Sequence, residues 1–168
     1  DDTCARIVFK STGRLLYRRP LTDEELSTLV ELAGAGASKL GNFYSGVSVA
    51  LSAMLVRPEF LFITDTIEPD PEQTGAYRLT AFAKAARISF FLWNTTPDDA
   101  LLTAAESGAL NSEKEMKTQV DRMLASPRIA EGVRAFFDDM LAFDGFETLQ
   151  KDSIIYPAFG LAALDQSR

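Results

Sequence analysis

The residues of this chain that could do chemistry are carboxylates, cations, hydroxyls and one thiol, because its 168 residues include no histidine. That removes Ser-His-Asp and Cys-His nucleophile systems and the usual imidazole metal sites. A C-x-x-C-H run for covalent haem attachment is absent too. Asp98-Asp99, directly after Pro97, could serve as an acid/base pair or hold a metal. The same residues also suit the first turn of a helix, where carboxylates meet the positive end of the peptide dipoles. Adjacent helical side chains diverge by about 100°, which fits one shared metal poorly. Asp138-Asp139 with Asp144 forms a looser acidic group. It lies beside Phe136, Phe137, Met140 and Leu141, so the two aspartates read as the wet side of a helix. With 24 Asp and Glu in the chain, some pair will stand a hydrolytic distance apart. A secreted carboxylate-dependent hydrolase acting on polysaccharide is therefore the alternative that composition leaves open.

The cations have a structural and a functional reading as well. Arg18-Arg19 precede Pro20 and Arg57 precedes Pro58, each at an expected helix end. Guanidinium groups there can bond the orphan carbonyls, while anion binding or an interdomain contact is the functional reading. Arg87 lies in the central stretch from Leu79 to Asp99 with Trp93, the single tryptophan, and Phe82, Phe90 and Phe91. Together with Phe60 and Phe62 these rings could bind a sugar or a flat cofactor, but at helical spacing they read as core. Asn94-Thr95-Thr96 matches a glycosylation acceptor and equally fits a turn before a capped helix. Cys4, the single cysteine, makes no internal disulfide. It pairs outside these residues or stays a reduced thiol.

The elements that must position these residues are helical. Hydrophobic residues at 46% and charged residues at 24% are ordinary globular values. A net charge of -7 argues against sequence-independent nucleic-acid binding. The longest apolar run, residues 47–56, is too short for a membrane span, which needs about twenty residues.

A first helix is expected over residues 3–18 with Ala5, Val8, Phe9, Leu15 and Leu16 inward; Gly13 within it suggests close packing by a neighbour. A second starts at the Thr22–Glu25 capping box and stops at Gly34-Ala35-Gly36. A third, over 43–56, reads as a central buried helix, with Gly46 and Ala50 on a close-approach face. Residues 64–76, rich in Pro and acids, read as a linker. Thr80 then caps a helix to Trp93, and Thr96 caps the next with Pro97 at its first position. Ser112 with Glu115 predicts another capping box before a helix that places Met116, Val120, Met123 and Leu124 inward. Ser126-Pro127 opens the last one, with Ile129, Val133, Phe136, Phe137, Met140 and Leu141 as its inward stripe. No window shows period-2 alternation. The expectation is an all-α fold of about seven helices in two packed units, 1–63 and 77–168, joined by 64–76. A short extended C-terminal arm follows, and a further helix begins at residue 161. The chain reads as stopping inside an element, as part of a longer protein.

Several runs together resemble an uncharacterised family of paired helical modules, domains of unknown function found beside cytochrome c domains in exported planctomycete-type bacterial proteins. The runs are Cys4-Ala5-Arg6, residues 17–25 (YRRPLTDEE), 55–62 (LVRPEFLF), Tyr77-Arg78-Leu79, 87–93 (RISFFLW), Pro97-Asp98-Asp99, 123–128 (MLASPR) and Tyr156-Pro157-Ala158-Phe159. The resemblance implies a helical, periplasmic or secreted module whose haem c sits in a flanking domain or partner, with no cofactor in this chain. It transfers no catalytic residue. One departure stands out: the family usually has Glu where this chain has Ala83, so Arg87 lacks its i,i+4 acid. A helix-end carbonyl, Asp98 or Asp99 is then its expected acceptor.

The expected function is a non-catalytic scaffold or interaction module of an exported, cytochrome c-associated multidomain protein. Its partners would be other domains or subunits, one of them haem-carrying, with no nucleic acid and no membrane span. Arg18, Arg19, Arg57, Arg87, Trp93, Asp98 and Asp99 are its candidate structural or interaction residues, and no catalytic, cofactor-binding or metal residue is assigned.

Overall fold

The structure, a computed structural model, describes residues 1–143 and 154–156. Among these residues eight α-helices and one short hairpin make the chain all-α, as expected. α1 (Asp2–Leu16) turns Ala5, Phe9 and Gly13 inward, and Leu15 faces solvent. Gly13 is needed there because the Leu21 side chain fills the space a Cβ would take. α2 (Asp23–Leu40) opens with the predicted capping box: Thr22 Oγ1 accepts from the Glu25 amide, and the Glu25 carboxylate accepts from the Thr22 amide. The stop expected at residues 34–36 does not occur, and α2 runs on to a left-handed cap at Gly41. Gly36 instead meets α3 (Phe43–Leu55), where a Cβ would stand 3.1 Å from Gly46 Cα. The two glycines make a close helix crossing, not a helix end.

α3 corrects a second expectation. It buries only the line Gly46, Ala50 and Met54, while Tyr44, Val49, Leu55 and Val56 are exposed. Its small-residue face packs on α2, Phe43, Val47 and Leu51 reach the same core half-buried, and Tyr44, Val49 and Leu55 are left outside. α4 (Pro58–Leu61) completes this half, whose core is built from Phe9, Tyr17, Leu26, Leu29, Val30 and Met54.

Within the expected linker the chain forms β1 (Ile67–Pro69), antiparallel to β2 (Tyr77–Leu79), with Ile67 opposite Leu79 and Glu68 opposite Arg78. Three-residue strands are too short to show alternation, so the sequence pattern did not reveal them. α5 (Ala81–Trp93) is capped by Thr80 and ended by Asn94 in the left-handed conformation, φ 52°. α6 (Asp99–Glu106) is capped by Asp98, whose Oδ1 accepts from the Leu101 amide at 2.9 Å. Thr96, expected as that cap, donates its hydroxyl to Leu15 O across the molecule.

A 3-10 turn (Ala109–Asn111) leads to α7 (Glu113–Leu124), where Ser112 makes no side-chain cap bond, so the second capping box is not formed. α7 buries Met123, leaves Met116 and Val120 half-buried and exposes Leu124. α8 (Ile129–Leu141) follows Pro127 and starts without a side-chain cap. The second core gathers Ala85, Trp93, Leu101, Ala105, Leu110 and Met123.

The largest departure is the orientation of α8. Gly132 is its one buried residue, and a Cβ there would run into the Leu92 carbonyl. The helix therefore rests on the α5 backbone through its smallest residue. Its stripe Val133, Phe136, Phe137, Met140 and Leu141, expected inward, faces out, with Phe136 56% exposed. The expected C-terminal arm and the helix at residue 161 lie outside the described residues, apart from the turn at Ile154–Tyr156.

Candidate functional site

The candidate cations do not share one site: Arg18 and Arg19 line one small cavity, while Arg57 and Arg87 stand apart from it. Arg18 takes the left-handed backbone conformation, φ 57°, just after α1, and is only 8% exposed. Its Nη1 donates to Leu16 O and Phe60 O, both at 3.4 Å; Nη2 donates to Phe62 O at 2.7 Å and to Glu59 O. The guanidinium thus closes the carbonyl ends of α1 and α4, and burial lowers its proton affinity. The Phe90 ring of α5 lies 5.8 Å from it. Arg19 grips Glu25 with both Nη atoms, at 2.9 and 2.7 Å. That pairing, aided by the Thr22 amide against the cost of burial, brings the Glu25 carboxyl down to about 2. Arg57 stands exposed at the start of α4 with no ion pair among the described residues.

Arg87 pairs with Asp65 of the connector, Nε to Oδ1 at 2.6 Å and Nη2 to Oδ2. The expected acceptors, a helix-end carbonyl, Asp98 or Asp99, are engaged otherwise or not used. Asp98 caps α6 and takes a two-pronged contact from Arg122, at 2.7 and 3.0 Å. Burial alone would raise its pKa, but Arg122 and the Leu101 amide hold it below the usual range. Asp99 is mostly exposed and binds Arg14 at 2.5 Å. The two aspartates thus serve different arginines and do not converge on a shared site.

Trp93 is buried, donates Nε1–H to Met123 O at 3.0 Å, and has Arg122 and Arg128 at 5.6 and 5.1 Å from its ring. It seats the α7–α8 turn on α5.

Arg14 is the residue the sequence did not single out. Nε donates to Glu106 at 2.6 Å, Nη1 to Asp99 and Nη2 to Thr103 at 3.3 Å. The Glu106 bond is the main cause that raises its proton affinity. Its partners lie more than 80 residues away, so local pattern could not reveal them.

A small cavity of about 40 Å³ lies beside this joint, lined by Arg18, Glu59, Thr64, Thr66, Phe82 and Ala83 among others. Glu59 Oε2 is buried there with no hydrogen-bond partner among the described residues. A space of this size admits water-sized molecules.

Glu25, Asp65 and Asp98 all sit below their ordinary pKa, each beside an arginine. A general acid of a glycosidase needs the opposite shift. No group of three or more Cys, Asp or Glu that could hold a metal occurs among the described residues. No helix among them is long and apolar enough to cross a membrane. The arrangement joins elements and carries charge across a joint, and nothing in it favours the hydrolase alternative.

Residues 79–167, more than half of the chain, match PSD4, described as a protein of unknown function (DUF1592). The chain belongs to that family. Residues 4–65 match PSD5, likewise described as a protein of unknown function (DUF1595). The PSD5 match ends and the PSD4 match begins on either side of residues 66–78, which hold most of the β1–β2 hairpin. Neither a curated protein nor a solved structure matches the chain.

Proposed function

We propose that this PSD4 member is a non-catalytic helical interaction module of an exported, cytochrome c-associated multidomain protein or complex. It docks other domains or subunits, one of them haem-carrying. The observation that supports this reading best is the outward stripe of α8, with Val133, Phe136, Phe137, Met140 and Leu141 all exposed. Contiguous exposed apolar side chains on one helix are the usual mark of a recognition surface. Export and the haem-carrying neighbour come from the sequence runs described above.

The test is a calorimetric titration of this chain with the separately expressed flanking domains of its full-length polypeptide. Binding is expected, and Phe136→Ser with Phe137→Ser weakens it by at least about tenfold, as for central apolar anchors. Both side chains are already exposed, so the thermal midpoint of the double variant stays within about 2 °C of the parent. A folded, monomeric parent chain with no affinity for those domains would refute the proposal.

A further inference from the structure

We infer that the helical units on either side of residues 63–65 are separately folded, hinged at those residues and latched by Arg14, and that salt opens the latch. Three independent observations converge on this. The two hydrophobic cores share no residue: one runs from Ala5 to Met54 with Phe60 packed on it, the other from Ala81 to Met123. The two family matches also divide at this place, one ending at residue 65 and the other starting at 79.

The third observation is the chemistry of the joint, where polar contacts stand beside a cavity lined by Tyr17 of one unit and Phe82, Ala83 and Ala86 of the other. Arg14 of α1 reaches Asp99, Thr103 and Glu106 of α6, and Thr96 donates to Leu15 O. Arg18 adds a single cation–ring contact to Phe90, and a cavity remains alongside. Asp99 stands open to water and Glu106 partly so; surface ion pairs are worth about 0–1 kcal/mol each and weaken with ionic strength. Each core, by contrast, is held by apolar burial that salt does not screen.

The hinge follows from what is tied to which unit. Phe62 is fixed to the first unit, because its carbonyl accepts from the buried Arg18. Thr66 is fixed to the second by its carbonyl bond from the Thr80 amide and its hydroxyl contact with Thr80. Ile63, Thr64 and Asp65 lie between these anchors in irregular backbone, and the Arg87–Asp65 pair there is exposed and yields to salt like the latch. Rotation there swings Arg14 away from α6 and opens the cavity without disturbing either core or the hairpin.

The test is energy transfer in the full chain between dyes at Cys4, which is exposed, and at a Lys114→Cys variant on exposed α7. Raising salt from about 0.05 M to about 1 M shortens the screening length from over 10 Å to about 3 Å. Transfer efficiency is expected to change over that range with far-UV circular dichroism constant. Arg14→Gln is expected to show the high-salt efficiency already at low salt. An efficiency indifferent to both salt and the Arg14 variant would overturn the inference. So would a change accompanied by loss of helical signal, because that would be unfolding and not opening.

Discussion

Glu25 illustrates how one side chain can satisfy a local and a longer-range demand. Its carboxylate accepts from the Thr22 amide, closing the first turn of α2, and also from both Nη atoms of Arg19. The consequence is pH-dependent stability. Its carboxyl titrates at about 2 in the fold, against 4.5 when unperturbed. Between those values the unfolded chain binds the proton and the folded one does not, so stability falls as pH falls. The contribution is complete above about pH 4.5 and gone below about pH 2. Glu25→Gln keeps an acceptor for the capping box and removes the charge. It is expected to cost about 1–2 kcal/mol at pH 7. Urea unfolding of parent and variant from neutral pH to pH 2 checks this: the stability difference should shrink steadily towards zero at the acid end. A difference independent of pH would show that Arg19 does not hold the carboxylate. Arg18, beside Arg19 in sequence, works the other way, since its partners are carbonyls and among the described residues its buried charge meets no carboxylate.

Among the elements, α8 decides most, because a single glycine sets which side it shows. Gly132 lies against the Leu92 carbonyl at the end of α5. Gly132→Ala gains helix propensity of about 1 kcal/mol, but its methyl must displace backbone, which cannot yield as a flexible side chain can. A net loss of about 1–3 kcal/mol is expected, as for overpacking elsewhere, seen as a lower thermal midpoint and as faster amide exchange in α8. A stabilised variant would mean that α8 does not rest on α5 in this way. The same contact explains what the sequence concealed. Periodicity correctly marked Val133, Phe136, Phe137, Met140 and Leu141 as one face, but it carries no sign for inward or outward. The small residues that pack on α5 do not register as a hydrophobic stripe. Gly36 was read as a helix stop for the same reason, while its role is to admit Gly46 of α3. What was legible was local chemistry: Thr22 with Glu25, the Thr80 cap, the break at Pro58. In the site, Trp93 was rightly read as core, whereas Phe62 and Phe91, read the same way, are exposed. The partners of Arg14, Arg87 and Asp98 were not legible, since they are set by how distant elements meet.

At the scale of the whole molecule, two cores without shared residues should respond separately to damage. Leu110 sits fully buried in the 3-10 turn of the second core, and Met54 is fully buried in the first. Truncating either to alanine removes apolar burial and leaves a cavity, at a cost of about 2–5 kcal/mol. In a single cooperative domain that loss would lower the global unfolding free energy, and with it the protection of the slowest amides everywhere. In two units whose cores share no residue it stays on its own side. Leu110→Ala is therefore expected to speed native-state hydrogen exchange of α5, α6 and α7 while α1, α2 and α3 keep their parent rates. Met54→Ala should give the reverse pattern. The pair of variants makes the comparison internal, so a generally weakened protein cannot imitate it. Equal loss of protection in both halves would mean that the Arg14 contacts couple the cores more strongly than exposed ion pairs do, and the chain would then have to be treated as one domain. Confinement of each loss to its own core would make the seam the weakest part of the molecule, which is the condition an arginine latch needs to open before either unit unfolds.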